Sequence, residues 1–435
     1  MKKIINLFEI VLFLFFLVLI PFFQNKLSIL LAIPILFLLY FLSNKIKVKN
    51  FAIILFIISF IIRIIFVLYL KVDIVSDFKT MLSASRLLIT GNLSFTKDAY
   101  FMLFPYQIGH VIYQALLLKI INKVLFLKII NSLVTSTIVL FIYLITKELF
   151  KEKTARFISI CYLLYFYPLY LNSVLTNQHI PALISLIVIY LLLKKENNIK
   201  LSILIACLLS ISNVLRTESI IFIAGISIYN LINIKKNNYK KVLSYTSIMI
   251  IVYFLTNALI STLLYVSPIN SNLKNNAPLW KFYCGLSYKY NGIYNEEDEK
   301  VFFNTSNQKE LLLNRVKEEN IKLPVLFMKK EVILWTQTNY DLRIRNNINN
   351  LVLLFNQGYL NAIILIFIIS LFPYKSLKNK KILLLKIIIS LYIFIYALIE
   401  ISPRYAYILH ILLFLLLGIG INKIENRKGL GKEKW

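Results

Sequence analysis

Five aspartates occur in this 435-residue chain, and they are segregated: Asp73, Asp77 and Asp98 precede residue 105, while Asp298 and Asp341 follow residue 270. Carboxylates this scarce in an apolar chain belong where water or a polar ligand meets them. Asp77, in Ser76-Asp77-Phe78, stands just beyond an apolar run and opens a segment of helical spacing. A carboxylate there can act as general base, taking the proton of an attacking hydroxyl or amine. Aspartate also caps helices well, and the two roles are compatible. Asp73 and Asp98 are the substitute bases, and read chiefly as solvated loop acids.

Three arginines could hold an anion, because the planar guanidinium donates paired hydrogen bonds and stays charged. Arg63 lies inside an apolar run, where a cation must snorkel, pair or meet a ligand. Arg216-Thr217-Glu218 falls at the junction of two apolar runs; on a continuous helix the two charges would diverge, but a turn lets both enter one cavity. Glu400-Ile401-Ser402-Pro403-Arg404-Tyr405 repeats that arrangement before the last run, with Arg404 as a phosphate clamp. Tyr100 begins an aromatic stretch ending at Pro105, and Gln107, His110 and Gln114 form one polar stripe. His110, His179 and His410 have no metal-ligand spacing. Cys161, Cys207 and Cys284 are too scattered for a disulfide framework. The residues name no cofactor, and leave open whether a divalent metal assists.

These side chains need a scaffold, and the composition says which. The chain is 59% hydrophobic with a mean hydropathy of +0.74. A hydrocarbon core about 30 Å thick takes roughly 20 apolar residues per helix. About a dozen stretches qualify, near 4–23, 27–43, 51–70, 124–146, 155–171, 180–194, 199–214, 218–234, 242–265, 351–372, 382–400 and 404–421. The expected fold is all-α, a polytopic helical membrane protein of about 12 crossings. The net charge of +29 reports topology before partners, because Lys45 to Lys49, Lys147 to Lys153, Lys194 and Lys195, Lys235 to Lys241, Lys378 to Lys381 and the tail recur at every second boundary. That pattern puts both termini in the cytoplasm and all five aspartates outside. It also removes the case for a nucleic-acid partner. Abundant Ile, Lys and Asn points to an AT-rich, bacterial genome.

Two loops are long enough for chemistry, about 71–123 and 266–350. In the first, Lys79, Ser83, Arg86 and Thr90 oppose Phe78, Met81, Leu82, Leu88 and Ile89 at helical spacing, which predicts a helix lying flat on the membrane; residues 107–121 make a second. The second loop carries an acidic run, Glu296 to Glu299, read as solvated, and an amphipathic piece from Pro324 through Lys330 and Trp335. No Gly-rich phosphate loop and no internal repeat is present, and the short cytoplasmic loops leave no room for a nucleotide-binding fold.

With those residues in place, the chain resembles the GT-C class of membrane glycosyltransferases, in particular the family 39 group that includes protein O-mannosyltransferases and aminoarabinose transferases acting on lipid A. The likeness covers about residues 51–421 and rests on Arg63, Asp77, the stretches Ala84 to Gly91 and Tyr100 to Pro105 with Gly109, Arg216-Thr217-Glu218, Gly285 to Asp298, and Glu400, Arg404 and Tyr405. It implies a catalytic domain over 51–421; the two additional spans in 1–50 depart from the family's usual start, and a basic cytoplasmic tail, 422–435, is expected after the last span. It implies transfer of a sugar from a polyprenyl-phosphate donor to a glycan, lipid or protein acceptor on the outer face, with inversion. Asp77 would be the base, while Arg404, with Arg63 or Arg216, would hold the departing phosphate. Many members place a second acid directly after the first; here Phe78 stands in that place. The alternatives are a lipid-linked polysaccharide polymerase or ligase, and a transporter or flippase, which predicts ionisable residues at mid-membrane beyond Arg63.

Overall fold

Apolar runs broken by short polar segments give an all-helical chain, with no strand among the described residues. The computed structural model describes residues 2–46, 48–235, 237–337, 344, 350–372 and 380–427. Asp341, Lys378 and most of the basic tail lie outside the described residues. The chain opens with α1 (Lys2–Leu19), α2 (Ile29–Lys45) and α3 (Phe51–Tyr69). The first long loop holds α4 (Ser76–Ile89), α5 (Ala99–Leu103) and α6 (Ile108–Ile120). A central block follows: α7 (Val124–Leu149), α8 (Glu152–Leu163), α9 (Phe166–Val174), α10 (His179–Lys194), α11 (Ile199–Leu215), α12 (Ser219–Ile232) and α13 (Tyr239–Val266). The second long loop holds α14 (Pro278–Gly285), α15 (Glu296–Asn304), α16 (Gln308–Glu319) and α17 (Leu323–Thr336). The chain then returns as α18 (Asn350–Leu371), α19 (Lys380–Leu398) and α20 (Ala406–Arg427).

The apolar stretches match these helices closely, with one difference. The single span expected over 155–171 is two helices, α8 and α9, meeting at a 48° bend. Among the described residues, seven helices are long and apolar enough to cross a membrane, or eight if the bent pair is one span. Four apolar helices are shorter, such as α12 with 14 residues, about 21 Å against a core of about 30 Å. The architecture fits a polytopic helical membrane protein, and helix length alone supports fewer crossings than twelve.

A helix apolar on every side belongs in the interior, and α20 is buried along its apolar length among α7, α8, α18 and α19. In contrast α13 turns most of its apolar surface outward, with Ile251, Phe254, Leu255 and Leu259 exposed. Two expectations are corrected inside this bundle. The amphipathic piece from Pro324 to Trp335 keeps Pro324, Val325 and Lys329 exposed, but its charges do not all face outward: Lys330 and Glu331 of α17 are buried with Leu334 and Trp335, and the Trp335 ring packs edge-on against Phe16 of α1 and stacks near Phe367 of α18. Arg63 is also not the sole ionisable group within the apolar helices. Lys386 of α19, buried, donates to Glu9 of α1 at 2.7 Å, which explains how two opposite charges sit unremarked in apolar runs.

The connection from α19 to α20 carries Glu400 and Arg404, and the second long loop fixes its course. Glu400 N donates to Lys281 O at 2.6 Å and Ile401 N to Gly292 O at 2.9 Å, and the buried Lys330 ammonium donates to the carbonyls of Gly285, Ala397 and Ile399 at 2.7 to 2.9 Å. Gly285 permits this approach, since a Cβ there would lie 2.2 Å from the Ile399 carbonyl carbon and 2.4 Å from Glu400 N. Gly285→Ala should therefore cost about 1 to 3 kcal/mol through overpacking. Thermal unfolding of the purified chain in detergent checks this; a midpoint equal to that of the unsubstituted protein would show that the connection yields freely.

Candidate active site

The predicted faces of α4 hold. Phe78, Met81 and Leu82 are buried, while Lys79, Ser83 and Arg86 are exposed. The inner face also carries Ser85, whose hydroxyl donates to Gln114 Oε1 of α6 at 3.1 Å, and Gln114 Nε2 lies 3.0 Å from His110 Nε2. Gln107 Oε1 accepts from Asn177 at 3.1 Å. The polar stripe of α6 thus faces protein and joins it to α4. Burial pulls the His110 pKa down to about 4, which favours the neutral imidazole.

Asp77 does not cap α4. The N-cap is Val75, with no side-chain bond. Ser76 takes a left-handed φ of +53°, unusual for a non-glycine residue, and Asp77 follows in the first turn. Arg404 Nη2 donates to Asp77 Oδ2 at 2.9 Å, and Ser76 Oγ to Asp77 Oδ1 at 3.1 Å. The Arg404 guanidinium also lies 4.9 Å over the Phe78 ring. Where a second acid was looked for, an aromatic face supports the arginine instead.

Arg404 lines a cleft of about 90 Å³ with Asp73, Ser76, Phe78, Tyr167, Tyr170, Leu171 and Val174, the last four on α9; Asp77 does not line it and meets it through its bond to Arg404. The aromatic wall from α9 was missed in sequence because these residues sit in an apolar run. The bend at Leu164 and Tyr165 and the left-handed Leu175, φ +63°, set the two ends of that wall. Asp73 therefore shares the cleft. Asp98 is exposed at the start of α5 and does not line it.

Two further ion pairs flank the first. The chain leaves α11 in extended geometry at Arg216, so Arg216 and Glu218 meet, as the turn predicted, with Nε donating to Glu218 Oε1 at 2.6 Å. Tyr396 donates to the same carboxylate at 3.1 Å, and Arg216 Nη1 donates to Asn177 Oδ1 at 3.1 Å. Glu400 does not pair with Arg404 four residues on; its partner is Lys281 of α14. Burial works to lower the Lys281 ammonium, but Glu400 and the Tyr405 and Tyr106 phenols together more than offset it and hold the pKa well above its ordinary value. Tyr405 ties the pairs together, its ring 4.8 Å from the Arg216 guanidinium, 5.7 Å from that of Arg404, and stacked on Tyr396 at 5.8 Å. Burial, with the nearby Asp77 charge, raises the Tyr100 phenol, keeping it a protonated donor.

Arg63 stays apart from this cluster. It is wholly buried, its Nε donating to Thr135 Oγ1 at 3.1 Å and its Nη1 to Ser59 Oγ at 2.6 Å, and Thr135 bonds Asn172 of α9 at 3.0 Å. It braces α3, α7 and α9, and so holds the cleft's wall rather than its ligand. His179 is likewise buried, with Tyr407 Oη 3.1 Å from its Nδ1. In the acidic run, Asp298 is buried rather than solvated; Arg315 donates to it at 2.6 Å and caps the α14 to α16 packing through Tyr283.

Among the three carboxylate and cation pairs, Asp77 and Arg404 are the one in which both side chains keep more than a quarter of their surface exposed. A phosphate could take Arg404 from Asp77 at low cost and leave the carboxylate unpaired beside it. No protein-family model, no curated protein and no solved structure matches this chain. The exposure difference predicts a stability contrast. Asp77→Asn should cost no more than about 1 kcal/mol, whereas Glu400→Gln, which strands the Lys281 charge, should cost about 3 kcal/mol. Thermal unfolding of both variants reads this, and equal losses would contradict the ranking.

Proposed function

We propose that this chain is a membrane glycosyltransferase of GT-C-like architecture, moving a sugar from a polyprenyl-phosphate donor to an acceptor on the outer side, with inversion. The observation that carries the reading is the Asp77–Arg404 pair, 2.9 Å apart, whose arginine lines an aromatic and apolar cleft. Counting the bent pair and the four shorter apolar helices as crossings brings the seven long ones to twelve. Both termini then lie in the cytoplasm and the cleft lies outside, at the end away from the lysine clusters.

In the proposed reaction the donor phosphate enters the cleft and engages Arg404, which releases Asp77. The acceptor hydroxyl or amine attacks the anomeric carbon, its proton passes to Asp77, and the carbon–oxygen bond to phosphate breaks on the opposite face. Arg404 meets the charge that grows on the leaving phosphate. Tyr167 and Tyr170 offer aromatic surface for the sugar, and Leu171 and Val174 an apolar wall for the first isoprene units. A lipid-borne donor reaches such a site through the bilayer, so no nucleotide-binding fold is needed. The paired Lys386 and Glu9 meet the transporter reading's demand for intramembrane charge, but they face one another directly across α1 and α19, as a structural pair does.

The test is transfer of radiolabelled sugar from a panel of polyprenyl-phosphate sugars, by membranes carrying the unsubstituted chain or Asp77→Asn at matched expression. Donor-dependent transfer should fall by roughly 10² to 10⁴ in the variant. Activity that survives moves the base to Asp73, and no transfer from any donor by the unsubstituted chain overturns the reading.

A further inference from the structure

A second cavity opens at the end of α19 opposite the connection that carries Glu400 and Arg404. It has a volume of about 330 Å³ and lies where α10 ends and α11, α13 and α19 begin, within the size range of small-ligand sites. Lysines from three separate connections converge on it: Lys195 after α10, Lys241 in the first turn of α13 and Lys381 in the first turn of α19. Against them the lining sets one carboxylate, Glu196, so positive charge is in excess. All three lysines are exposed. Lys381 is held at the rim by its bond to the Leu193 carbonyl, 2.6 Å long. The phenols of Tyr229 and Tyr245 and the amides of Asn197 and Asn238 complete a lining rich in donors. The N-termini of α13 and α19 add their dipoles at the same end.

We infer that this cavity binds the phosphate of an anionic phospholipid headgroup, seated by Lys195, Lys241 and Lys381. The source favoured is a lipid rather than free phosphate, because the cavity borders the outward apolar face of α13. Val242 lines the cavity, and its neighbour Leu243 begins an exposed row that continues through Ile251, Phe254 and Leu255. A headgroup in the cavity would leave its acyl chains along that row. Basic pockets between membrane helices recognise headgroups in this way. The site is independent of the Asp77 cleft, and its test does not depend on transferase activity.

The experiment is a native mass spectrometry titration of the full chain in detergent with phosphatidylglycerol or phosphatidylcholine, each with and without millimolar inorganic phosphate. Phosphatidylglycerol should bind in preference, and Lys195→Gln/Lys241→Gln should weaken it about tenfold or more, while Lys195→Arg/Lys241→Arg keeps it. Should the glutamine pair lose cooperative melting, Lys241→Gln alone is titrated in its place. Phosphate that does not displace the lipid confirms the headgroup as ligand; phosphate that binds alone and displaces it assigns the site to a soluble phosphate and overturns the lipid. Equal binding of the two lipids, or unchanged binding in a folded glutamine variant, overturns the site.

Discussion

A charge inside or beside an apolar helical bundle must meet a partner, and the connection from α19 to α20 is where that demand shapes the molecule most. Glu400 and Arg404 are four residues apart on it, yet each takes a partner from a different long loop, Lys281 from the second and Asp77 from the first. The backbone there is fixed before the side chains are considered. Lys330 gathers three carbonyls around its buried ammonium, and Gly285 lets α14 approach the chain within contact distance of Glu400 N. Both loops are thus bonded to one short segment, and Arg404 of that segment lines the cleft.

Much of this was readable in sequence, for stated reasons. Helical periodicity gave both faces of α4, since side chains three and four apart share a face whatever surrounds them. The turn between Arg216 and Glu218 was legible because an apolar helix must end where charges begin. Long-range pairing was not legible. Asp77 and Arg404 are 327 residues apart, and Lys281 and Glu400 are 119 apart, so no local spacing relates them. Lys386 and Glu9, 377 residues apart, are unreadable as a pair for the same reason, each alone in an apolar run. Asp298 looked solvated because its acidic neighbours are; burial of one member depends on Arg315, which the acidic run does not announce.

The two ends of the bundle carry different electrostatics. At the loop end, three carboxylates pair with three cations, so an anion reaching Arg404 would have to exchange with Asp77. At the lysine-rich end the charge is unbalanced around one cavity, so an anion there is bound without displacing a carboxylate. Arg63 belongs to neither end; it ties α9 to α3 and α7 and keeps the cleft's aromatic wall in place.

The most direct test of the exchange at Arg404 is an experimental structure of the chain in a lipid nanodisc with a polyprenyl monophosphate bound. The account predicts phosphate density against Arg404 at the mouth of the α9 cleft, with the Asp77 carboxylate released from the guanidinium and turned toward the space a sugar would fill. Phosphate density elsewhere, with Asp77 and Arg404 still bonded to one another, would contradict it.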